Sequence, residues 1–588
     1  MRQSPVTAVD PPPPAPRDLN PLRRMVAVQA MFVGVALMIV VQLFRWQVIH
    51  REDLLDDRVE PQEYTLEVPS YRGLILDRNH KVLALNNYDF TVEAAPNQIA
   101  VARTEETANK LSSVLGEPAP EILKKIAGDG LYAQISRLVP REMGKQVRAL
   151  GLPGIYVEPV AVRVYPEGTL AAHVLGFVAG DEEEITKGYH GVEGFYDRVL
   201  KGKAGLRGGG WDPWSPVSFA DRRADDWVIP ENGRTLVLTI DRTIQYFVER
   251  ELQGAVEKYG AERGTILVMD PRSGALLASA SYPSYDPSRF ADTPSELFVD
   301  PAIGIQYEPG STFKIVTMAA ALDAGVVRPD DLFNDIGYIE VGGRIIKNWD
   351  EGSKGVVDMT DVLVYSLNTG MAHVSTVLGA EQFYHYLERF GFAHKTGVDL
   401  EGEVAGSMRR PGEPEWHESD LGTNSFGQGL AVTPLQMVMA AGAIANRGVM
   451  MRPYVVEALV QEGQTVYARP ASAGQIIGAD TARIVTDMMV EVVERGVVLA
   501  QVEGYTIAGK TGTAQTPVVG GYDPNLTIAS FVGFAPADDP QFVVLVKLDK
   551  PTASPWGSAT AAPTFARVAQ MLFTQLEIPP DQVRWEMD

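Results

Sequence analysis

Twenty consecutive residues, Met25 to Phe44, carry no charge, and this stretch constrains what the rest of the chain can become. Wound as a helix, twenty residues span roughly 30 Å, the thickness of a bilayer's hydrocarbon core. Arg23 and Arg24 stand immediately before it, with Arg2 and Arg17 further out. Basic residues stay on the cytoplasmic side, so the short tail is expected inside the cell and everything after about Trp46 outside. A cleavable signal peptide is the competing reading. The apolar stretch is longer than a signal core, and Phe44-Arg45-Trp46-Gln47 offers no small-x-small cleavage site. The segment, residues 25–45, therefore reads as an uncleaved single-pass anchor in the cell membrane. Residues 1–24 include Pro11 to Pro14, hold too few apolar residues to fold, and are expected to be disordered.

At 588 residues the chain has room for two to four domains. Its net charge of −23 argues against nucleic-acid binding, which needs clustered Lys and Arg. Cysteine is absent, which excludes disulfides, thiolate metal sites and cysteine nucleophiles. The eight histidines show no His-Glu-x-x-His or comparable ligand spacing, so neither a metal nor another cofactor is expected.

From about Tyr64 to Pro230, short β-like runs alternate with charged helical stretches such as Glu105 to Leu115 and Glu182 to Lys187. Gly202, Gly205 and Gly208 to Gly210 are read as loops, and this block, residues 46–232, as structural. A second block, residues 233–580, opens with the alternating strand Gly233 to Asp241 and a long helix from Thr243 to about Tyr259. Gly264 to Pro271 and Gly274 to Ala278 follow as a hairpin-like pair. Strands, then helices around residue 311, then strands again after Tyr505 imply an α+β domain: an antiparallel sheet packed with a helical cluster. Thr564 to Leu576 forms a last amphipathic stretch, and no sizeable C-terminal module is expected after it.

Within the helical cluster, Glu308-Pro309-Gly310-Ser311-Thr312-Phe313-Lys314 places a hydroxyl and an amine three residues apart, behind a Pro-Gly break and ahead of the apolar run Ile315 to Leu322. On a helix, i and i+3 share a face, and burial favours a neutral amine that can serve as a base. Ser311 is thus a candidate activated nucleophile. Of sixteen lysines only Lys314 has a serine three positions earlier, and of thirteen asparagines only Asn368 has one two positions earlier, in Ser366-Leu367-Asn368 after the helical-looking Met359 to Tyr365. A third element, Lys510-Thr511-Gly512-Thr513, ends the strand-like Tyr505 to Gly509. Ser-x-x-Lys, Ser-x-Asn and Lys-Thr-Gly, in that order, are the set used by penicillin-interacting serine enzymes. Lys395-Thr396-Gly397 repeats the last triplet, but no strand precedes it, so it is read as a loop.

With these motifs the chain resembles the class B high-molecular-weight penicillin-binding proteins, which are monofunctional peptidoglycan D,D-transpeptidases. The likeness covers nearly all of the exported part. Arg72 to Asn79, Arg163-Val164-Tyr165-Pro166 with Ala172 to Gly176, and Gly191-Val192-Glu193-Gly194 are similar to motifs of the family's elongated non-catalytic pedestal, or dimerisation, domain. Ser425 to Gly429 with Thr433 to Gln436 is similar to its segment between the second and third catalytic motifs. His80 departs from the pattern, standing where glycine is common. Arg72, Asp77, Arg78, His173 and Glu193 are expected to be structural.

The resemblance implies that Ser311 attacks the carbonyl between the terminal D-alanines of a stem peptide while Lys314 takes its proton. Ser366 would relay a proton towards the leaving amine, with Lys510 holding its hydroxyl. Asn368 would hydrogen-bond peptide and Lys314, and the Ser311 and Thr513 N–H groups would form the oxyanion hole. Thr511 and Thr513 would bind the terminal carboxylate, and Gly512 would let an extended peptide approach the strand edge. β-Lactams would acylate the same serine. A multi-span glycosyltransferase and divisome or elongasome proteins are the implied partners, with a slight lean towards division. A D,D-carboxypeptidase shares the three motifs. A serine β-lactamase would need a deacylating base that is not visible, and a non-catalytic membrane scaffold or β-lactam sensor fits poorly with five intact candidate residues.

Overall fold

Pro21 opens helix α1 (Pro21–Phe44), its fixed φ suiting a first helical turn, so the helix begins four residues before the uncharged stretch. The computed structural model describes residues 21–45, 63–68, 70–180, 187–210, 228–518 and 521–587, and these fall into two units. In the first unit, Met25–Phe44 has a mean hydropathy of 2.3 and is long and apolar enough to cross a membrane. The same unit holds a two-stranded antiparallel ribbon of Glu63–Val68 on Gly205–Gly210. The glycines at 205 and 208–210, expected in loops, are therefore strand residues. Ladder hydrogen bonds join backbones, so pairing overrides glycine's weak strand preference. The expected tail up to residue 20 and the stretch Glu182 to Lys187, except Lys187 itself in the strand Lys187–Tyr189, lie outside the described residues.

The second unit comprises residues 70–204 and 230–587 among those described. Its earlier part forms helices, Thr104–Leu115 among them, against a sheet of long strands. That sheet does not stop at the residue 232 boundary. Ile75–Leu76 pairs in parallel with Thr235–Leu238, which in turn pairs with Val456–Gln461. The Arg72 to Asn79 motif lies at this join. Arg72 forms ion pairs with Glu193 (2.6 Å) and Asp197 (2.7 Å), and Arg163 pairs with the other oxygen of Glu193 (2.7 Å). Asp77 accepts from the backbone of Asn79, Lys81 and Arg242. His80 adopts a φ of 60°, a left-handed conformation for which glycine is best suited. The ring of His173 lies 3.0 Å from the Leu297 carbonyl, in hydrogen-bonding position.

Helix α2 (Arg242–Tyr259) starts where Asp241 accepts from the N–H groups of Thr243 and Ile244. The main sheet contains β1 (Arg263–Met269), β2 (Leu276–Tyr282), β3 (Ala508–Val518), β4 (Gly521–Ala535) and β5 (Phe542–Asp549), in the spatial order β2-β1-β5-β4-β3 and antiparallel throughout. In β5 every residue from Phe542 to Leu548 is buried without alternation, so both faces of the sheet are covered. The covering helices include α3 (Lys314–Asp323), α4 (Met359–Val364), α5 (Asn368–Leu378), α6 (Pro434–Ala445) and α7 (Ala561–Gln575). The expected α+β arrangement of an antiparallel sheet with a helical cluster is thus the one observed. Strand β3 forms one end of the sheet, and its outer edge has no partner strand among the described residues.

Candidate active site

Ser311 lies in a 3-10 turn, Gly310–Phe313, and Lys314 is the first residue of α3. Gly310 makes the turn with a φ of 57°. Everything from Thr312 to Ala321 is buried, Lys314 included, because α3 runs through the centre of the helical cluster. The buried amine has three acceptors within reach: Lys314 Nζ lies 2.7 Å from the Ser366 carbonyl, 3.1 Å from Ser366 Oγ and 2.8 Å from Asn368 Oδ1. The direct meeting of Ser311 with Lys314 expected from i, i+3 spacing is not among these contacts. Lys314 Nζ is instead drawn to the three acceptors at the α4–α5 junction.

Ser366 sits between α4 and α5 with a φ of 55°, an uncommon backbone state for a residue other than glycine. Its hydroxyl lies 3.1 Å from Lys314 Nζ and 3.1 Å from Lys510 Nζ, so one oxygen joins two buried amines. Lys510 is the third residue of β3 and stands near the strand's start, not at its end as the sequence suggests. Burial holds the Lys314 ammonium well below the ordinary lysine range, and the nearby Lys510 pushes it in the same direction. Burial also lowers Lys510, to about 7. The cluster can therefore exchange a proton near neutral pH. Asn368 is fixed from both sides, its Oδ1 accepting from Lys314 and its Nδ2 donating to the Lys347 carbonyl (3.1 Å).

Strand β3 packs directly on the serine turn. A Cβ built on Gly512 would fall 2.4 Å from Ser530 Oγ, 2.9 Å from Thr312 Cγ2 and 3.0 Å from the Pro309 carbonyl. The packing of strand against turn thus demands glycine at 512, a reason distinct from the peptide access expected from the sequence. Thr511 and Thr513 are half-buried, and Thr513 Oγ1 accepts from Gly557 N (3.2 Å). On the other side of the turn, Gly310 N donates to the Gly427 carbonyl (3.1 Å), which places the Ser425 to Gly429 segment beside it.

All eight candidate residues thus sit on the serine turn, the start of α3, the α4–α5 junction and the edge strand β3. The triplet Lys395-Thr396-Gly397 is elsewhere. Glu403 accepts from its Thr396 and Gly397 N–H groups, and the adjoining Asp399 accepts from the Tyr196 hydroxyl (2.9 Å). That loop is a structural tie, as expected.

Two family models match the chain: the penicillin binding protein transpeptidase domain over residues 264–570 and the penicillin-binding protein dimerisation domain over residues 67–211. The chain belongs to the penicillin-binding protein family. Stage V sporulation protein D of Bacillus subtilis is 34% identical over 578 residues, covering 95% of this chain and 86% of the relative. The peptidoglycan D,D-transpeptidase FtsI of Escherichia coli is 31% identical over 523 residues, covering 88% and 85%. Among solved structures, penicillin binding protein 3 of Mycobacterium tuberculosis complexed with aztreonam superimposes with a TM-score of 0.67 at 29% identity, covering 88% of this chain and 98% of that one.

Sequence reasoning missed the groups that support this candidate site. Asp335, Asn348, Thr369 and the Lys347 carbonyl hold the start of α5, while Glu308 accepts from Gly429 N (3.0 Å) and the Tyr522 hydroxyl (3.1 Å). None of these residues belongs to a periodic pattern, and their partners are remote in sequence.

Proposed function

We propose that this chain is a membrane-anchored peptidoglycan D,D-transpeptidase working through a serine acyl-enzyme, inhibited by β-lactams. The observation that carries the reading is the Ser366 hydroxyl held 3.1 Å from each of two buried lysines, beside the turn that presents Ser311. Neutral Lys314 accepts the Ser311 proton as Oγ attacks the carbonyl of the penultimate D-alanine. The developing oxyanion is received by the Ser311 and Thr513 N–H groups, where losing one donor costs about 3 kcal/mol. As the C–N bond breaks, the proton passes through Ser366 to the departing D-alanine amine, with Lys510 supplying positive potential. The ester is then attacked by an acceptor amine, which gives up a proton as the new amide forms and Ser311 is released. Asn368 aligns the donor peptide, and Thr511, Gly512 and Thr513 bind its end along the edge of β3. The FtsI relative is itself named a peptidoglycan D,D-transpeptidase, which supports the same reaction here.

Arg23 and Arg24 orient α1 so that the tail is cytoplasmic and the remainder extracytoplasmic. Residues 46–232 serve as the pedestal domain and 233–580 as the transpeptidase domain. The family resemblance further implies a multi-span glycosyltransferase partner within a divisome or elongasome. The test uses the full-length chain in detergent with a fluorescent penicillin. Wild type is expected to label to near one equivalent and Ser311→Ala not at all; equal labelling of both would refute the nucleophile. Adding a donor stem peptide and an acceptor amine is expected to yield the cross-linked amide. Free acid as the sole product would instead identify a carboxypeptidase.

A further inference from the structure

Helix α5 begins with the residues that matter to the reaction, yet it lacks a cap of its own. Leu367, at its N-cap position, offers no side-chain acceptor, although the first N–H groups of any helix need partners. The acceptor comes from elsewhere. Asn348 Oδ1 takes the N–H of Thr369 (3.2 Å), and the neighbouring Lys347 carbonyl takes Asn368 Nδ2 (3.1 Å). Asn348 is itself locked. Its Nδ2 lies 3.0 Å from each oxygen of Asp335 and 3.2 Å from the Gly352 carbonyl.

Asp335 is the hub of this network. It is 1% exposed, and its carboxylate accepts from Gly337 N (3.1 Å), Lys354 N (2.8 Å), Asn348 Nδ2 and the Thr369 hydroxyl (2.9 Å). The Thr369 hydroxyl also lies 3.0 Å from Asn348 Oδ1 and donates to one of these two oxygens at a time. Thr369 is 0% and Asn348 3% exposed, so water cannot replace these bonds. Such enclosure, with several donors converging on one buried carboxylate, fixes the geometry far more tightly than a surface cap would.

We infer that Asp335, Asn348 and Thr369 are positioning residues for acylation: Asp335 and Asn348, from the 332–358 segment, hold Thr369 at the start of α5 and so set Ser366 and Asn368 against Lys314. The line runs from the Asp335 carboxylate through Asn348 to the start of α5, and from Asn368 Oδ1 to Lys314 Nζ at 2.8 Å. This inference rests on the serine acyl-enzyme reading above. Asp335→Asn turns an amide donor against either Lys354 N or Gly337 N, whichever way its amide is oriented. Asn348→Ala removes the cap. Thr369→Val removes one hydroxyl at nearly constant volume, and Thr369→Ser restores it.

The experiment measures the limiting rate of acylation of the full-length chain by fluorescent penicillin, normalised to the labelled fraction at completion. Asp335→Asn and Asn348→Ala are expected to slow acylation on the order of 10²-fold, the scale of a displacement near 1 Å at a reacting group. Thr369→Val is expected to slow it about tenfold and Thr369→Ser to react within about threefold of wild type. Wild-type rates in Asp335→Asn and Asn348→Ala would overturn the inference, as would equal slowing by the valine and serine variants. Should the first two variants fail to fold, the Thr369 pair decides alone. Ser311→Ala is run alongside: if it labels, the serine reading has failed, whatever the positioning variants do.

Discussion

Lys510 illustrates how one side chain can set a pH profile. Its pKa is lowered to about 7 by burial, while Lys314 beside it is driven well below the ordinary lysine range. As pH rises through about 7, Lys510 loses its proton and the positive potential around Ser366 disappears. Ser366 is then left without that charge, so the rate of acylation is expected to fall on the alkaline side. Arginine remains protonated at every accessible pH. Lys510→Arg is therefore expected to abolish that alkaline fall in the acylation rate, measured with fluorescent penicillin from pH 6 to 9. An unchanged alkaline limb would assign the titration to another group. At this scale the sequence names the residue types well. It cannot supply the pKa values, which arise from burial contributed by α3, α4 and β3 together.

Between elements, the decisive contact is β3 against the serine turn. Gly512 permits it, since a Cβ there would meet Thr312 Cγ2 at 2.9 Å and the Pro309 carbonyl at 3.0 Å. Overpacking of this kind costs about 1–3 kcal/mol. Gly512→Ala is thus expected to lower the chemical-denaturation stability by that amount and to depress acylation, because the strand must move away from Ser311. If both stability and labelling stayed at wild-type values, the strand and turn would have to be less tightly packed than this. The Ser366 turn is a second case in which the element decides. A serine at φ 55° is held by α4 and α5 on either side, and no local sequence signal announces it. The helices themselves were readable from apolar runs, whereas the trans-capping of α5 by Asn348 was not, since cap and helix are 21 residues apart.

In the whole molecule, the earlier part of the second unit is joined to the later part by a continuous sheet, and a cluster of buried charge holds the earlier part itself together. Glu193 is fully buried between Arg72 and Arg163, whose side chains are 6% and 3% exposed. Removing one partner of such a cluster strands the others without solvent, typically at about 3–5 kcal/mol. Glu193→Ala is expected to lose that much stability in urea unfolding, and a loss below about 1 kcal/mol would mean that water reaches the guanidiniums. By itself the sequence determined an apolar helix long enough to cross a membrane, from twenty uncharged residues, and the α+β class, from apolar periodicity. It also determined the three motifs, because each is local and its spacing is visible in one dimension. Only the tertiary structure decided that Ser366, and not Ser311, bridges the two lysines. It likewise decided that Gly512 is needed for packing, that a sheet crosses the boundary near residue 232, and that Asp335 and Asn348 stand behind the site. Each of these depends on groups brought together from distant parts of the chain, and the burial that gives them force exists only once the chain has folded around them.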